Sequence, residues 1–309
     1  MNLPLVFGHR GASAYRPENT LEAFEMAFAM GSDAIECDLV PTGDGRLIIR
    51  HENELSGTTN VAQHPEFADR RRTQLFYGRW EVSGWFSEDF TLAEINTLRA
   101  TERIPAVRPG SAKFDGQFAV PSIDDLLAAP FADGKTLILE VKHGGHFKSI
   151  GFDTVELLAK ALEASSWRDR GITLVFESFH WETALDLKAR FGHLGRVVFL
   201  VESWGMPATP EEVQAWLDGI AAKVDGISFD VNLLFTKIAN DGFGVQFGEP
   251  NDLVAQAHER GLLVYTWTAR AEDAKFSFEE YYNHFVELGA DGVFADHPDL
   301  FRQFIDGLA

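Results

Sequence analysis

Short runs of apolar residues recur along the chain, and between them apolar positions fall three or four apart. Eight of the runs read as strands: Leu5–His9, Ala34–Leu39, Thr136–Glu140, Thr173–Glu177, Arg196–Val201, Gly226–Asp230, Leu262–Thr266 and Gly292–Ala295. They are continuous rather than alternating, the pattern of strands buried on both faces of a parallel sheet. The stretches between them predict helices. Asn19 reads as the cap of the first, with Glu22 completing a capping box, and Leu21, Phe24 and Phe28 then share one face. Pro210 and Pro250 stand where later helices should begin. Val213, Trp216, Leu217 and Ile220 form one apolar stripe, and Leu253, Val254 and Ala257 another. Eight strands with helices between them predict an α/β fold, a (β/α)8 TIM barrel. An open doubly wound sheet is the alternative, because the pattern does not establish closure. Its dinucleotide-binding form lacks a G-x-G-x-x-G after the first strand.

A ninth run, Leu47–His51, breaks the rhythm. Only Val40 to Arg46 separate it from the strand before, whereas a parallel crossover needs about a dozen residues. The turn Thr42-Gly43-Asp44-Gly45 favours a hairpin instead. This predicts an antiparallel excursion above the barrel, inside the loop after strand two. Residues at about 52–120 then lack the βα rhythm. They are expected to form an insertion, as a lid or small subdomain, within a single domain spanning 1–309. Arg70-Arg71-Arg72 in this stretch reads as solvated surface.

Charge narrows the partners. The 309 residues carry a formal net charge of -20, which argues against a nucleic-acid-binding face and against anionic membranes. No apolar run is long enough to span a bilayer, so no stable membrane insertion is expected. Cys37 is the single cysteine, so no intrachain disulfide forms. Met1 to Phe7 has neither a basic region nor a long apolar core. The expected location is cytoplasmic, or periplasmic or secreted if a leader has been removed.

Polar residues cluster where strands end, the edge at which a barrel places its active site. His9-Arg10-Gly11 closes the first strand. The imidazole can move a proton near neutral pH, the guanidinium can hold a phosphate, and the glycine admits a ligand close to the backbone. Alone, the motif is equally a capped core histidine beside a surface arginine. Glu36 and Asp38 end strand two and, two residues apart, point the same way. A hard divalent ion would relieve their repulsion; nearby lysine or arginine is the other answer. Glu140 and Lys142 repeat that parity on strand three, where a plain strand-end salt bridge is the simplest reading of the motif alone. His51 ends the hairpin, and if this folds over the mouth it faces His9 across the site. Two histidines can divide acid and base work on a phosphodiester. Three consecutive strand ends carrying such sets make chance placement hard to sustain.

Together these residues resemble the glycerophosphodiester phosphodiesterase family. The resemblance lies in His9-Arg10-Gly11, Pro17-Glu18-Asn19-Thr20, Glu36-x-Asp38, His51 with Thr58-Thr59-Asn60, Glu140-x-Lys142, Trp267-Thr268 and Ala290-Asp291-Gly292-Val293. It covers nearly the whole chain, and the long segment between His51 and Glu140 is similar to the periplasmic-type branch. The resemblance implies a TIM barrel with one divalent metal, calcium or magnesium, on Glu36, Asp38 and Glu140. It implies His9 and His51 as the acid/base pair, and Arg10 and Lys142 as phosphate contacts. Phe179 and Trp267 would line the glycerol or leaving group, or equally pack the barrel top. The implied reaction is hydrolysis of a small glycerophosphodiester to glycerol 3-phosphate and an alcohol, through attack by the neighbouring glycerol hydroxyl and a cyclic phosphate.

The chain departs from the family in having Glu52 rather than aspartate after the second histidine, Ser56-Gly57 rather than Asp-Arg before the threonines, and Ala295 rather than threonine before Asp296. These departures bear on the leaving group more than on activity. Two other readings stand beside this one. A barrel phospholipase acting on lysophospholipid or sphingomyelin-type lipids would use the aromatics Phe76, Tyr77, Trp80, Trp85 and Phe86 as an apolar patch. A non-catalytic phosphodiester-binding protein would bind without turnover.

Overall fold

A computed structural model describes residues 3–76, 80–240, 244–275 and 277–308. In chain order its strands are β1 (Leu5–Gly8), β2 (Ala34–Pro41), β3 (Leu47–Ile49), β4 (Arg72–Phe76), β5 (Trp80–Gly84), β6 (Thr136–Val141), β7 (Thr173–Ser178), β8 (Arg196–Val201), β9 (Gly226–Asp230), β10 (Ile238–Asn240), β11 (Val245–Phe247), β12 (Leu263–Ala269) and β13 (Gly292–Ala295). Strands β1, β2, β6, β7, β8, β9, β12 and β13 pair in parallel in that order, and β13 returns to pair with β1. The sheet is therefore a closed eight-stranded (β/α)8 barrel, and the open-sheet alternative is excluded.

The continuous apolar runs are explained by two layers of opposite parity. Val6, Ile35, Cys37, Leu139, Phe176 and Val264 pack into the main core shared with the helices. Phe7, Ala34, Ile138, Val175, Val198, Tyr265 and Phe294 form a separate cluster, the floor of the barrel interior. Burying both faces is what removes the alternation.

The first helix, Leu21–Ala29, is capped by Thr20, whose hydroxyl accepts from the amide of Ala23 at 3.2 Å. Asn19 is not the cap. Its backbone lies in the left-handed region, φ 58°, where it lacks the extended geometry a cap requires, and its side chain serves Asp38 instead. Gly11 lies against this helix at φ 85°, where an added Cβ would come within 2.5 Å of the backbone of Ala23. Pro210 opens its helix behind a capping box of Thr209 and Glu212. Pro250 does not, because the following helix starts later, at Leu253.

Strand β3 runs antiparallel to β2, with Leu39 opposite Ile49 and Pro41 opposite Leu47, so the hairpin expected from the short connection is present. It delivers Arg50 and His51 above the barrel mouth. The stretch that follows builds a cap with its own core of Val40, Ile48, Leu55, Val61, Phe67, Phe90, Ile95, Leu98, Val120 and Phe147. Thr59 and Asn60 hold this cap together. The Thr59 hydroxyl donates to the carbonyl of Leu55 at 2.6 Å, and the Asn60 amide oxygen accepts from the amide of Arg99 at 2.7 Å. The arginine run is not merely solvated. Arg70 pairs with Glu94, and Arg72 pairs with Glu88 and Asp89, because the cap folds acidic residues back onto it. Among the described residues, no helix is long and apolar enough to cross a membrane.

Candidate active site

Side chains alternate along a strand, so six of the seven floor residues, all but Val198, have a polar or indole neighbour on the same face two or four positions nearer the mouth. Phe7 leads to His9, Ala34 to Glu36 and Asp38, Ile138 to Glu140 and Lys142, Val175 to Glu177, Tyr265 to Trp267, and Phe294 to Asp296. Above the floor opens a cavity of about 890 Å³. His9, Arg10, Glu36, His51, Glu140, Lys142, Phe179 and Trp267 all line it. Asp38 does not line it but lies just below, 1% exposed.

The carboxylates form a tight group. Oxygens of Glu36, Glu140 and Glu177 lie within 4.8 Å of one another. Glu177 was not singled out in the sequence, although it ends a strand and stands in register with Glu140. Asp38 is in register with Glu140 on the other side, yet its own oxygens are engaged elsewhere. It accepts from the Asn19 amide at 2.7 Å and lies 3.3 Å from Lys142 Nζ and 3.4 Å from Arg10 Nε. Those cations hold its carboxyl well below the usual range despite burial. Glu36 and Glu177 behave oppositely. Burial, reinforced by neighbouring negative charge, pushes both well up. Glu140 is pushed up to about 7 by burial, opposed by Lys142. Glu36 Oε1 and Glu177 Oε2 are buried without a hydrogen-bond partner. Glu140 Oε1 likewise has no properly aligned donor, although Lys142 Nζ lies 2.8 Å away. Buried carboxylate oxygens without donors are costly unless a cation serves them. The donor set, all hard oxygens, fits a divalent ion.

Each histidine rests on a carboxylate. His9 Nδ1 lies 2.6 Å from Asp296 Oδ1, and His51 Nδ1 lies 2.5 Å from Glu52 Oε1. In both rings this leaves Nε2 as the nitrogen not engaged by the carboxylate. Burial is the leading cause holding both imidazoles below their ordinary pKa, with the charge of Arg10 next. Each carboxylate is in turn gripped by an arginine of the cap. Arg108 Nη2 donates to Asp296 at 2.5 Å and Arg108 Nε to Glu272 at 2.7 Å. Arg103 donates to Glu52 at 2.6 and 3.0 Å and to Glu18 at 2.7 and 2.8 Å, and Glu18 accepts from Arg10 at 3.1 Å. Sequence reading missed Asp296, Glu52, Arg103 and Arg108 as site residues. Glu52 enters the sequence reading only as a departure from the family pattern and Asp296 only as the residue after the departure at Ala295, and the arginines lie in a stretch without periodicity.

The cap thus braces both imidazoles, and its weight can be measured. Arg108→Met is expected to lower kcat roughly tenfold, a fraction of the ~10²–10⁴ that a full acid–base group contributes. KM should change little, and Arg108→Lys should recover part of the loss. Loss of activity that tracks unfolding by circular dichroism, with no recovery in the lysine variant, would reduce the arginine to a fold contact.

The remaining sequence candidates sort by position. Lys142 Nζ stands 5.1 Å from the centre of the Phe179 ring, and Phe179 meets Trp267 edge to face at 5.4 Å. Outside the sequence candidates, His143 and His180 also line the cavity, whereas His146 bonds Gln74 at 2.6 Å. Of the aromatics suggested as a lipid patch, Phe86 is buried, and Trp85 donates to the carbonyl of Phe67 at 2.7 Å. Trp80 is exposed at the rim. Tyr77 and the side chain of Phe76 lie outside the described residues.

Comparison with known proteins decides the relationship. Residues 9–300 match the Glycerophosphoryl diester phosphodiesterase family. The chain belongs to that family. It is 29% identical to a glycerophosphodiester phosphodiesterase of Arabidopsis thaliana, over 95% of this chain and 83% of that one. It is 26% identical to the Haemophilus influenzae glycerophosphodiester phosphodiesterase, over 98% and 90%. Among solved structures, the barrel resembles a putative glycerophosphoryl diester phosphodiesterase from Silicibacter pomeroyi, with TM-score 0.71 and 22% identity over 99% of this chain and 94% of that one. It also resembles an Oleispira antarctica phosphodiesterase in complex with the product sn-glycerol-3-phosphate, with TM-score 0.66 and 22% identity over 98% and 97%.

Proposed function

We propose that this glycerophosphodiester phosphodiesterase family member hydrolyses glycerophosphodiesters to glycerol 3-phosphate and an alcohol, as a single domain whose cap completes the site. One observation carries the reading. Two imidazoles, each seated on a carboxylate through Nδ1, open onto one cavity with three buried glutamates and the cations Arg10 and Lys142. Membership of the family supports it.

Arg10 and Lys142 attract and orient the phosphodiester anion. One imidazole takes the proton of the neighbouring glycerol hydroxyl as its oxygen attacks phosphorus, giving a cyclic phosphate. The other gives a proton to the departing alcohol. The substrate's negative charge favours the protonated form of the donor ring, offsetting its burial. Asp296 and Glu52 steady the rings and balance the imidazolium charge. In a second pass the roles reverse and water opens the cycle. Glu36, Glu140 and Glu177 would hold a calcium or magnesium ion, and Asp38 would join them by exchanging its Arg10 or Lys142 contact for the ion, since such ions accept many oxygens. When bound, the ion supplies positive charge for the phosphoryl oxygens.

A panel of glycerophosphodiesters, with released glycerol phosphate as readout, tests the activity. Turnover should stop in chelator and return with calcium or magnesium. Binding of every diester without turnover of any would favour a binding protein instead.

The crowding of carboxylates also predicts a pH signature. Glu140 titrates at about 7 in the ion-free fold, above its ordinary range. A carboxyl raised on folding contributes stability at low pH and loses it as pH rises through the folded value. The ion-free protein should therefore weaken toward neutral pH, while the ion binds the ionised form. The rise in Tm on adding calcium or magnesium should be larger at about pH 8 than at about pH 5.5. Equal rises at both would contradict the buried carboxylate cluster.

A further inference from the structure

The cavity is chemically divided across the barrel mouth. On the side of β1, β2, β3 and β6 it is lined by His9, Arg10, Glu36, His51, Glu140 and Lys142. Beyond β6 around the ring, past Glu177 and Phe179, the ends of β7 and β8 contribute Trp181, Phe199, Glu202 and Trp204. Trp181 meets Phe199 edge to face at 4.9 Å. The indole N–H of Trp204 donates to Glu202, which ties that carboxylate to one of the aromatic residues lining the same cavity. The lining lysine and arginines are each committed to other carboxylates: Arg10 to Glu18, Lys142 to Glu140, and Arg270 to Asp296. At about 890 Å³ the space also exceeds what glycerol phosphate fills.

Aromatic faces grouped with one carboxylate, and with no lysine or arginine among the described lining residues of that wall, suit a cation that carries no hydrogen-bond donors of its own. An aliphatic chain would gain nothing from the carboxylate. An anionic or polyhydroxylated alcohol would gain little from the rings. Resting on the proposed phosphodiesterase reading, we propose that the wall of Trp181, Phe199, Glu202 and Trp204 is the subsite for a leaving alcohol bearing a quaternary ammonium group. The formal net charge of -20 draws such a group in.

The test compares glycerophosphocholine with its uncharged isostere carrying 3,3-dimethylbutanol, and lysophosphatidylcholine with the corresponding isostere. Glycerophosphoglycerol serves as a reference. The charged member of a pair should be favoured about fivefold or more in kcat/KM, within the range of a desolvated cation–π contact. Glu202→Gln and Trp181→Leu should each shrink that ratio. The two pairs distinguish a free diester from a lipid headgroup as the source of the cation. In parallel, choline should quench the tryptophan fluorescence of the wild-type protein at concentrations where 3,3-dimethylbutanol does not, and the quench should weaken in Glu202→Gln. Turnover of the reference with equal rates for charged and neutral partners overturns the subsite and leaves the phosphodiesterase reading standing. No turnover of any diester overturns that reading, and the choline titration then decides the subsite by itself. Indifference to choline's charge there overturns it too.

Discussion

Replacing His9 or His51 by alanine is expected to lower kcat by about a hundredfold or more, the usual scale for an acid–base group. That is roughly 2.7 kcal/mol or more of transition-state stabilisation each. Both rings border the same cavity, and both have Nδ1 tied to a carboxylate. The double variant should fall far short of the product of the two losses, because groups that act as a unit are not additive. KM should change less than kcat, since in the proposed mechanism Arg10 and Lys142 are the groups that hold the substrate. The pH profile carries a further sign. Burial lowers both imidazoles, so the protonated donor is scarce at rest, and kcat/KM, which reports the free enzyme, should already be falling with rising pH below neutrality. Single-turnover kinetics of the variants check the assignment, and wild-type rates from either would remove that histidine from the chemistry.

The fold was legible because burial on both sides of a parallel sheet leaves uninterrupted apolar runs. All eight barrel strands were placed from that signal, and the short link after β2 gave away the hairpin. Parity likewise brought out a polar cluster at the barrel mouth. Glu36, Asp38, Glu140 and Lys142 were found by counting in twos from strand ends, and all four lie together in the barrel. Glu177 obeys the same count, but a lone glutamate at a strand end carries no repeated motif. The cap was opaque for a different reason. Arg103 and Arg108 act through distant partners, 85 and 188 positions away in Glu18 and Asp296, and no local periodicity encodes such a contact. Asn19 was misplaced because capping and carboxylate binding call for the same residue type, and only its left-handed backbone tells them apart.

Glu140→Gln and Glu36→Gln should each weaken calcium or magnesium binding by about a hundredfold or more, since even partners outside the ligand sphere commonly cost 10–100-fold. Both side chains are buried, each has an oxygen without an aligned hydrogen-bond partner, and their carboxylates come within 4.8 Å of each other. The amide removes one negative charge from a group that is otherwise mutually repulsive. The same substitution should therefore stabilise the ion-free fold while weakening its response to the ion. That opposite pair of effects separates a cation site from a structural salt bridge, in which losing the carboxylate would only destabilise. Glu177→Gln should follow the same pattern with about a tenfold loss of affinity. Asp38→Asn should not follow it, because Asp38 is held ionised by Asn19, Arg10 and Lys142, and its loss would leave those cations uncompensated. Asp38→Asn should lower both the ion-free Tm and the affinity. Calorimetric titration with each metal, beside thermal unfolding with and without chelator, reads both quantities. Unchanged ion affinity in Glu36→Gln and Glu140→Gln would place the ion elsewhere.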